Sequence, residues 1–516
     1  MGFVLGWGDG CLKRLGAALC AAAVTLLSLS GCSTLPKGVG QSSAPPASKP
    51  ENPVSRPEEP LDLTLCYSSE DSLNPYKAKT QVNVQLASLL YDSLTVLDEQ
   101  WQPQLSLAAS VSREDPLRYR VTLRENAAFS DGSAVTAADV AASFQQAKAS
   151  QTYRSLLLNL LSCTVEAGAA VFTLAAPDPQ FSACLTFPIL KQGTDDAPVG
   201  GGRYVLEEGE RPRLVWNSRY EGEPSTDTIY LRYLSDRDSM IRGLETGVVS
   251  YYFDDLSNGE IPRISSASAN IPLPNLVFLG FNSEREAVSD PAVRRAVDAA
   301  VSRAAIADSS FAGRAVAAQS PFPSAWEPAV EIKGFETVEN IQAAVAQLEQ
   351  AGYNTKGAAG QGEPLSLTLL CSDSNSFRLA AAKQLEEQLE KTGIAVTVES
   401  MSFSDLEKRL DKGDFDLYIG EIRLSANMSL SPLLTEGGAA AYGIDQAGAA
   451  AQAYAAYLAG EKTLADFCAA FVQDPPFLPL CWRQGIAAYD RNMSGVTPTA
   501  FDVYHGIEGW TLPSLS

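Results

Sequence analysis

Hydrophobic and polar positions recur with readable periods along most of this chain. After Lys13 and Arg14, an apolar run extends from Leu15 to Leu29. It is shorter than the ~20 residues that span a bilayer and reads as a secretory signal. Residues 33–60 are Ser, Pro, Gly, Lys and Glu with almost no large apolar side chain. Such a stretch buries too little surface to offset its ordering entropy, which predicts a disordered tether. Residues 61–67 then alternate as a strand, a turn follows at 71–75, and a helix is expected around 83–90. Residues 118–124 alternate again. Thr136 followed by Asp139 makes a capping-box pattern, with Val140, Phe144 and Ala147 as the apolar face behind it. Asp290-Pro291 supplies a cap and a first-turn proline to a second helix. Its stripe is Val293, Ala296, Val297, Ala300 and Val301, with Arg294, Arg295 and Asp298 outside it. Residues 365–371 read as a strand, 377–391 as a helix stopped at Gly393, and 394–398 as a strand. A helix near 403–410 and a strand at 415–419 complete the series. Strand and helix alternate, which argues for an α/β lobe with a parallel or mixed sheet.

Length, charge and two scarce residue types narrow the chemistry. At 516 residues the chain exceeds one hydrophobic core of about 250–300 residues, so at least two lobes are expected. A net charge of −22 repels phosphate backbones and argues against nucleic acid as a partner. There is one histidine, His505. It permits no HExxH and no multi-histidine metal site, and no GxSxG elbow accompanies it. No cofactor is expected. Downstream of the signal, Cys66, Cys163, Cys184, Cys371, Cys468 and Cys481 form no CxxC. Cys163–Cys184 and Cys468–Cys481 are candidate disulfides, and buried free thiols are the alternative.

Leu29-Ser30-Gly31-Cys32 resembles the lipobox of bacterial lipoproteins. The resemblance implies a signal peptide over 1–31 and a diacylated Cys32, the first residue of a lipidated tether over 32–60. Two acyl chains hold a protein at a membrane where one binds only marginally. The implied location is lipid-anchored and extracytoplasmic, at the cell surface or in the periplasm.

Further landmarks occur in order: Ser72-Leu73-Asn74-Pro75-Tyr76, Leu90-Tyr91-Asp92-Ser93-Leu94, and Phe129-Ser130-Asp131-Gly132-Ser133 leading through Thr136 to Asp139-Val140. Gly202-Arg203-Tyr204, Trp216-Asn217-Ser218-Arg219-Tyr220, Phe281-Asn282, Ala351-Gly352-Tyr353 and Gly413-Asp414-Phe415-Asp416 follow. Together they resemble the extracytoplasmic solute-binding proteins of ABC importers, family 5, the dipeptide/oligopeptide-binding class. The resemblance implies an α/β, two-lobed, periplasmic-binding-protein-like clamshell of type II. Lobe I would span 61–275 with an inserted subdomain at about 75–196, lobe II 276–480, and 481–516 would return to lobe I. The implied function is non-catalytic: a monomeric substrate-binding lipoprotein captures oligopeptide-like solutes and delivers them to a membrane permease. Family members also bind sugars, nickel chelates, haem or signalling peptides. Alternatives are an extracytoplasmic sensor or adhesion lipoprotein, and an exported hydrolase working with two carboxylates.

In peptide-binding relatives an aspartate after the Asp-Phe-Asp strand pairs with the ligand's α-amine, and that position is Ser425 here. This leaves Glu421 as a cation partner and Arg423 as a carboxylate fork, with Asn427 beside them. Ser69 and Glu70, just after the first strand, match the place where relatives offer backbone and a charge. Asn282, placed near the hinge, and Tyr442, as a stacking ring, complete the candidate ligand-binding set.

Overall fold

The computed structural model describes residues 62–195, 197–356 and 363–512. The expected signal peptide, Cys32 and the tether lie outside these residues.

Lobe I begins with the strand Thr64–Tyr67, which runs parallel to Thr228–Tyr233. Arg213–Trp216 and Tyr204–Glu207 add antiparallel to make a four-stranded sheet. The helix Gln81–Leu90 buries Leu86, Leu89 and Leu90 in this lobe. A second four-stranded sheet is inserted, in the order Ala108–Asp115, Arg118–Leu123, Ala169–Leu174, Leu160–Glu166. Its covering helix is Ala137–Ala149, where both capping-box hydrogen bonds between Thr136 and Asp139 form. Val140, Phe144 and Ala147 are fully buried and pack with Phe172 and Phe187 in a core separate from the main one.

A seven-stranded sheet organises the rest of the chain. Its order is Tyr251–Asp254, Phe477–Tyr489, Ala267–Phe281, Leu417–Arg423, Ser366–Ser372, Ala395–Met401, with Ala315–Ala317 pairing on Phe477–Tyr489. Ser366–Ser372 and Ala395–Met401 are parallel and joined by the helix Ser376–Glu390, the α/β crossover expected from the alternation. The strand expected at 415–419 is instead Leu417–Arg423, longer and shifted toward its charged end.

Two strands of this sheet are long enough to serve both lobes. Ala267–Phe281 has 15 residues and Phe477–Tyr489 has 13, and they run antiparallel. In the first half of Ala267–Phe281, Ser268, Asn270 and Pro272 are exposed, a strand with one wet face; from Leu273 onward every residue is buried. That change of pattern marks where the chain passes from a half-covered sheet to one covered on both sides. The register slips between Pro272 and Leu276. Pro272 and Pro274 have no N–H to donate, so the ladder breaks at this point and the strands can bend between the lobes. Beyond the break, Gly420 lies opposite Phe278 and Gly280 opposite Tyr418. A Cβ at either glycine would enter the ring across from it, so both aromatic rings depend on the missing side chains.

All six described cysteines are free and buried, so neither candidate disulfide forms. The buried environment suits the thiol as a small apolar group, which is the reading that holds. Among the described residues no helix is long and apolar enough to cross a membrane, and no acid, histidine and cysteine cluster could hold a metal ion.

Candidate functional site

The lobes meet where Leu417–Arg423 reaches the register slip. Arg423 lies opposite Asn275, and Glu421 opposite Val277, which in turn faces Cys481. Side chains two apart on a strand share a face, so Glu421, Arg423, Asn275 and Arg483 project to the same side of the sheet. Glu421, only 5% exposed, accepts from Arg378 Nη1 at 2.6 Å, Arg483 Nη1 at 2.5 Å and Asn275 Nδ2 at 3.0 Å. Burial alone would raise its carboxyl, but Arg483 and Arg378 outweigh that effect and hold it down at about 2. Glu421 is therefore charged and fully matched by the protein itself. The role of cation partner to a ligand, expected from the sequence, is taken by two internal arginines.

Arg423 is placed differently. Its Nη2 donates to Ala500 O at 3.1 Å and its Nη1 to Asn275 Oδ1 at 3.5 Å, yet more than a third of the residue remains accessible. Enough protein surrounds it that desolvation lowers its pKa, with Arg483 pushing the same way and Asp255 against. An accessible guanidinium with a dense neighbourhood is a crevice wall. Arg483 also donates to Asp255 O, tying the same cluster to the chain that leaves lobe I.

Past the strand end, a short polar chain crosses between the lobes. Ser425 Oγ donates to Asn427 Oδ1 at 2.7 Å, and Asn427 Nδ2 donates to Asp178 Oδ2 at 2.8 Å. Asp178 belongs to the inserted subdomain and also accepts from Gln180 N at 2.8 Å. Burial raises its carboxyl above the ordinary range, only partly offset by Asn427, Gln180 and Cys184. Beside this chain Ala426 packs on Leu97 and Ala183, flanked by Leu156 and Phe501.

The family model for bacterial extracellular solute-binding proteins, family 5 (middle), matches residues 102–438, well over half of the chain. The chain belongs to this family. The family 5 match runs through the inserted subdomain, both halves of the first crossing strand and Leu417–Arg423. The chain is 25% identical over 396 residues to "Oligopeptide-binding protein AppA" of Bacillus subtilis (strain 168), covering 70% of this chain and 73% of that one. It is 25% identical over 479 residues to "Glutathione-binding protein GsiB" of Escherichia coli (strain K12), covering 84% and 91%. Among solved structures it resembles the unliganded open form of the periplasmic murein tripeptide binding protein MppA. The TM-score is 0.74 at 18% identity, over 88% of this chain and 98% of the other, which establishes the two-lobed α/β clamshell fold.

Within this family 5 fold, the eight candidate residues do not form one group. Glu421, Arg423, Ser425 and Asn427 gather at the lobe junction. Ser69 and Glu70 are exposed on the segment leaving Thr64–Tyr67, where the Tyr233 hydroxyl bonds Glu70. Outside the carboxyl ends of strands is where open α/β sheets hold ligands. Asn282 and Tyr442 sit elsewhere. Asn282 is seven residues past Asn275 on the crossing strand, about 23 Å at 3.3 Å per residue. It is fully buried, its Nδ2 donating to Gly413 O and Phe415 O and its Oδ1 accepting from Glu284 N. Its amide is taken up by these three internal hydrogen bonds. Tyr442 stands beside it, edge-on to Tyr418 at 6.3 Å. Sequence reasoning missed Arg378, Arg483, Asn275 and Asp178. Arg483 had a usable signal: a lone charge inside the apolar run 477–489 must find a buried partner.

Proposed function

We propose that this protein captures a peptide-like solute outside the cytoplasm through the solute's carboxylate and passes it to the permease of an ABC importer. No bond in the solute is made or broken. The observation that carries this reading is a local surplus of guanidinium. Arg378, Arg423 and Arg483 gather at the lobe junction against two carboxylates, Glu421 and Asp255, in a chain of net charge −22. A cation surplus within an acidic protein favours an anionic group, and Arg423 has the accessible planar fork that a carboxylate fits. Two of its relatives, an oligopeptide-binding and a glutathione-binding protein, agree by name with a ligand that ends in a carboxylate.

Lobe I is taken as 61–275 plus 481–516, and lobe II as 276–480. Ser69 and Glu70 would meet the ligand from the first lobe, and Arg423, Ser425 and Asn427 from the second. A ligand touching both binds the closed arrangement better than the open one, and that difference drives closure. Acylated Cys32 would keep a monomer at the outer face of the membrane, and Cys32→Ser should move it from the membrane fraction to the soluble one.

The test is calorimetric titration with short peptides carrying free or amidated carboxyl termini. The free acid should bind at least tenfold tighter, and Arg423→Ala should erase that preference while the protein still melts cooperatively. Equal affinity for acid and amide overturns the carboxylate reading. If no peptide of either kind binds, the peptide reading itself fails.

A further inference from the structure

Arg203, in the landmark Gly202-Arg203-Tyr204, is only 7% exposed, and most of its partners lie near the C-terminal end of the chain. Its Nη2 donates to Asp502 Oδ2 at 2.8 Å and to Ser88 O at 3.3 Å, and its Nη1 to Tyr504 O and Glu508 Oε2, both at 3.2 Å. Ser88, on the helix Gln81–Leu90, donates Oγ to Asp502 Oδ1 at 2.7 Å. Both carboxylate oxygens of Asp502 are therefore held. Asp502 in turn closes a short loop. Its N–H donates to Thr499 Oγ1 at 3.0 Å, and the Thr499 N–H donates back to Asp502 O at 2.9 Å. Ala500 and Phe501 fill the loop, with the Phe501 ring edge-on to Trp101 at 5.3 Å and packed on the Leu97, Ala183 and Ala426 cluster. A loop pinned at both ends and packed in the middle gives its carbonyls fixed directions.

One of those carbonyls, Ala500 O, accepts from Arg423 Nη2 at 3.1 Å, while Asn275 Oδ1 accepts from Nη1 at 3.5 Å. With one hydrogen used on each terminal nitrogen, the guanidinium keeps its Nε–H and one further hydrogen on each Nη. These suffice for the parallel pair of bonds that a carboxylate accepts. A long side chain loses rotamer freedom when it binds, and ordering it beforehand removes that cost from the binding step. The two acceptors order an otherwise accessible fork, and the shorter bond comes from the loop that Arg203 and Asp502 hold.

We propose that Arg203 and Asp502 are positioning residues for the ligand's carboxylate: they fix the loop 499–502, whose Ala500 carbonyl aims the Arg423 guanidinium. The role rests on the reading that the ligand offers Arg423 a carboxylate.

The test is calorimetric titration of Asp502→Asn and Thr499→Val with the acid and amide forms of one peptide. Each variant should lose about threefold or more in affinity for the acid relative to the amide. For Asp502→Asn the sign is diagnostic. Removing a negative charge would by Coulomb attraction alone strengthen the binding of an anion, so a weaker acid points to a displaced guanidinium. Thr499→Val removes the hydroxyl that holds the Asp502 N–H and alters no charge, and it decides the matter if Asp502→Asn does not melt cooperatively. In the deciding variant, an acid-to-amide ratio that stays at the wild-type value or rises overturns the positioning role and leaves the carboxylate reading standing. That includes the case where both peptides weaken equally, as a merely loosened fold would produce. If the wild type itself does not distinguish acid from amide, the carboxylate reading fails and the positioning role falls with it.

Discussion

Replacing Glu421 with glutamine removes one charge from a cluster shielded from solvent. Glu421→Gln keeps an oxygen for Asn275 Nδ2 but leaves Arg483, 3% exposed, and Arg378, 19% exposed, without a carboxylate. Removing one partner of a buried ion pair costs about 3–5 kcal/mol. Titration leads to a similar figure. A carboxyl lowered from 4.5 to about 2 corresponds to about 3 kcal/mol, at about 1.4 kcal/mol per pH unit. Because the folded-state value lies below the unfolded one, this contribution is complete above about pH 4.5 and is lost as the pH falls toward 2. For lobes of about 200 residues each kcal/mol moves Tm by about 2–4 °C, so Glu421→Gln should melt about 6–20 °C lower at pH 7. The gap should narrow between pH 4.5 and pH 3. Scanning calorimetry at pH 7, 5 and 3 reads both effects. A loss below about 2 °C at pH 7, or a gap that stays constant down to pH 3, refutes the reasoning. Adding Arg378→Gln to Glu421→Gln should recover part of the loss, since it removes one of the two stranded charges.

Other positions give independent checks. Asp178 has a raised folded-state carboxyl, so its effect on stability is most favourable at low pH and is lost as the pH climbs through that value. Asp178→Asn should flatten this slope in thermal melts from pH 4 to pH 8, and an unchanged slope would clear Asp178 of it. Thr136→Ala should cost about 1 kcal/mol through loss of the cap, measured by urea unfolding; no change would mean the box is ornamental. Burial pushes the thiols of Cys66, Cys163 and Cys468 up to about 12. A thiol reagent should find the six cysteines from Cys66 onward silent in the native protein and all reactive in denaturant. Fewer than six in denaturant would reveal a disulfide.

Much of the scaffold was legible because its signals are local. The Thr136 and Asp139 pair, the Asp290-Pro291 cap and the stripe from Val293 to Val301 depend on residues a turn or two apart, and all appear as read. What failed depended on partners far along the chain. Arg294 falls outside the apolar stripe yet is buried, because Asp474, 180 residues away, meets it. The strand read at 415–419 runs on to Arg423, and Arg378 and Arg483 neutralise Glu421 within it. The site was half legible for the same reason. Motif spacing led to the segment 421–427, but no pattern within it announces that Glu421 is already neutralised or that Asn427 reaches Asp178. Asn282 was placed near the hinge from its position at the end of the Phe281 strand, and its three bonds to 284, 413 and 415 are a matter of packing.

The ribbon formed by Ala267–Phe281 and Phe477–Tyr489 has a practical consequence for engineering. Each strand leaves one half in either lobe, so a boundary drawn at 275/276 or 480/481 cuts hydrogen-bonded ladders. A chimera that borrows the second lobe of a relative will keep its solubility only if it imports both strands whole, prolines included. The exchangeable module is therefore larger than the lobe it is meant to replace.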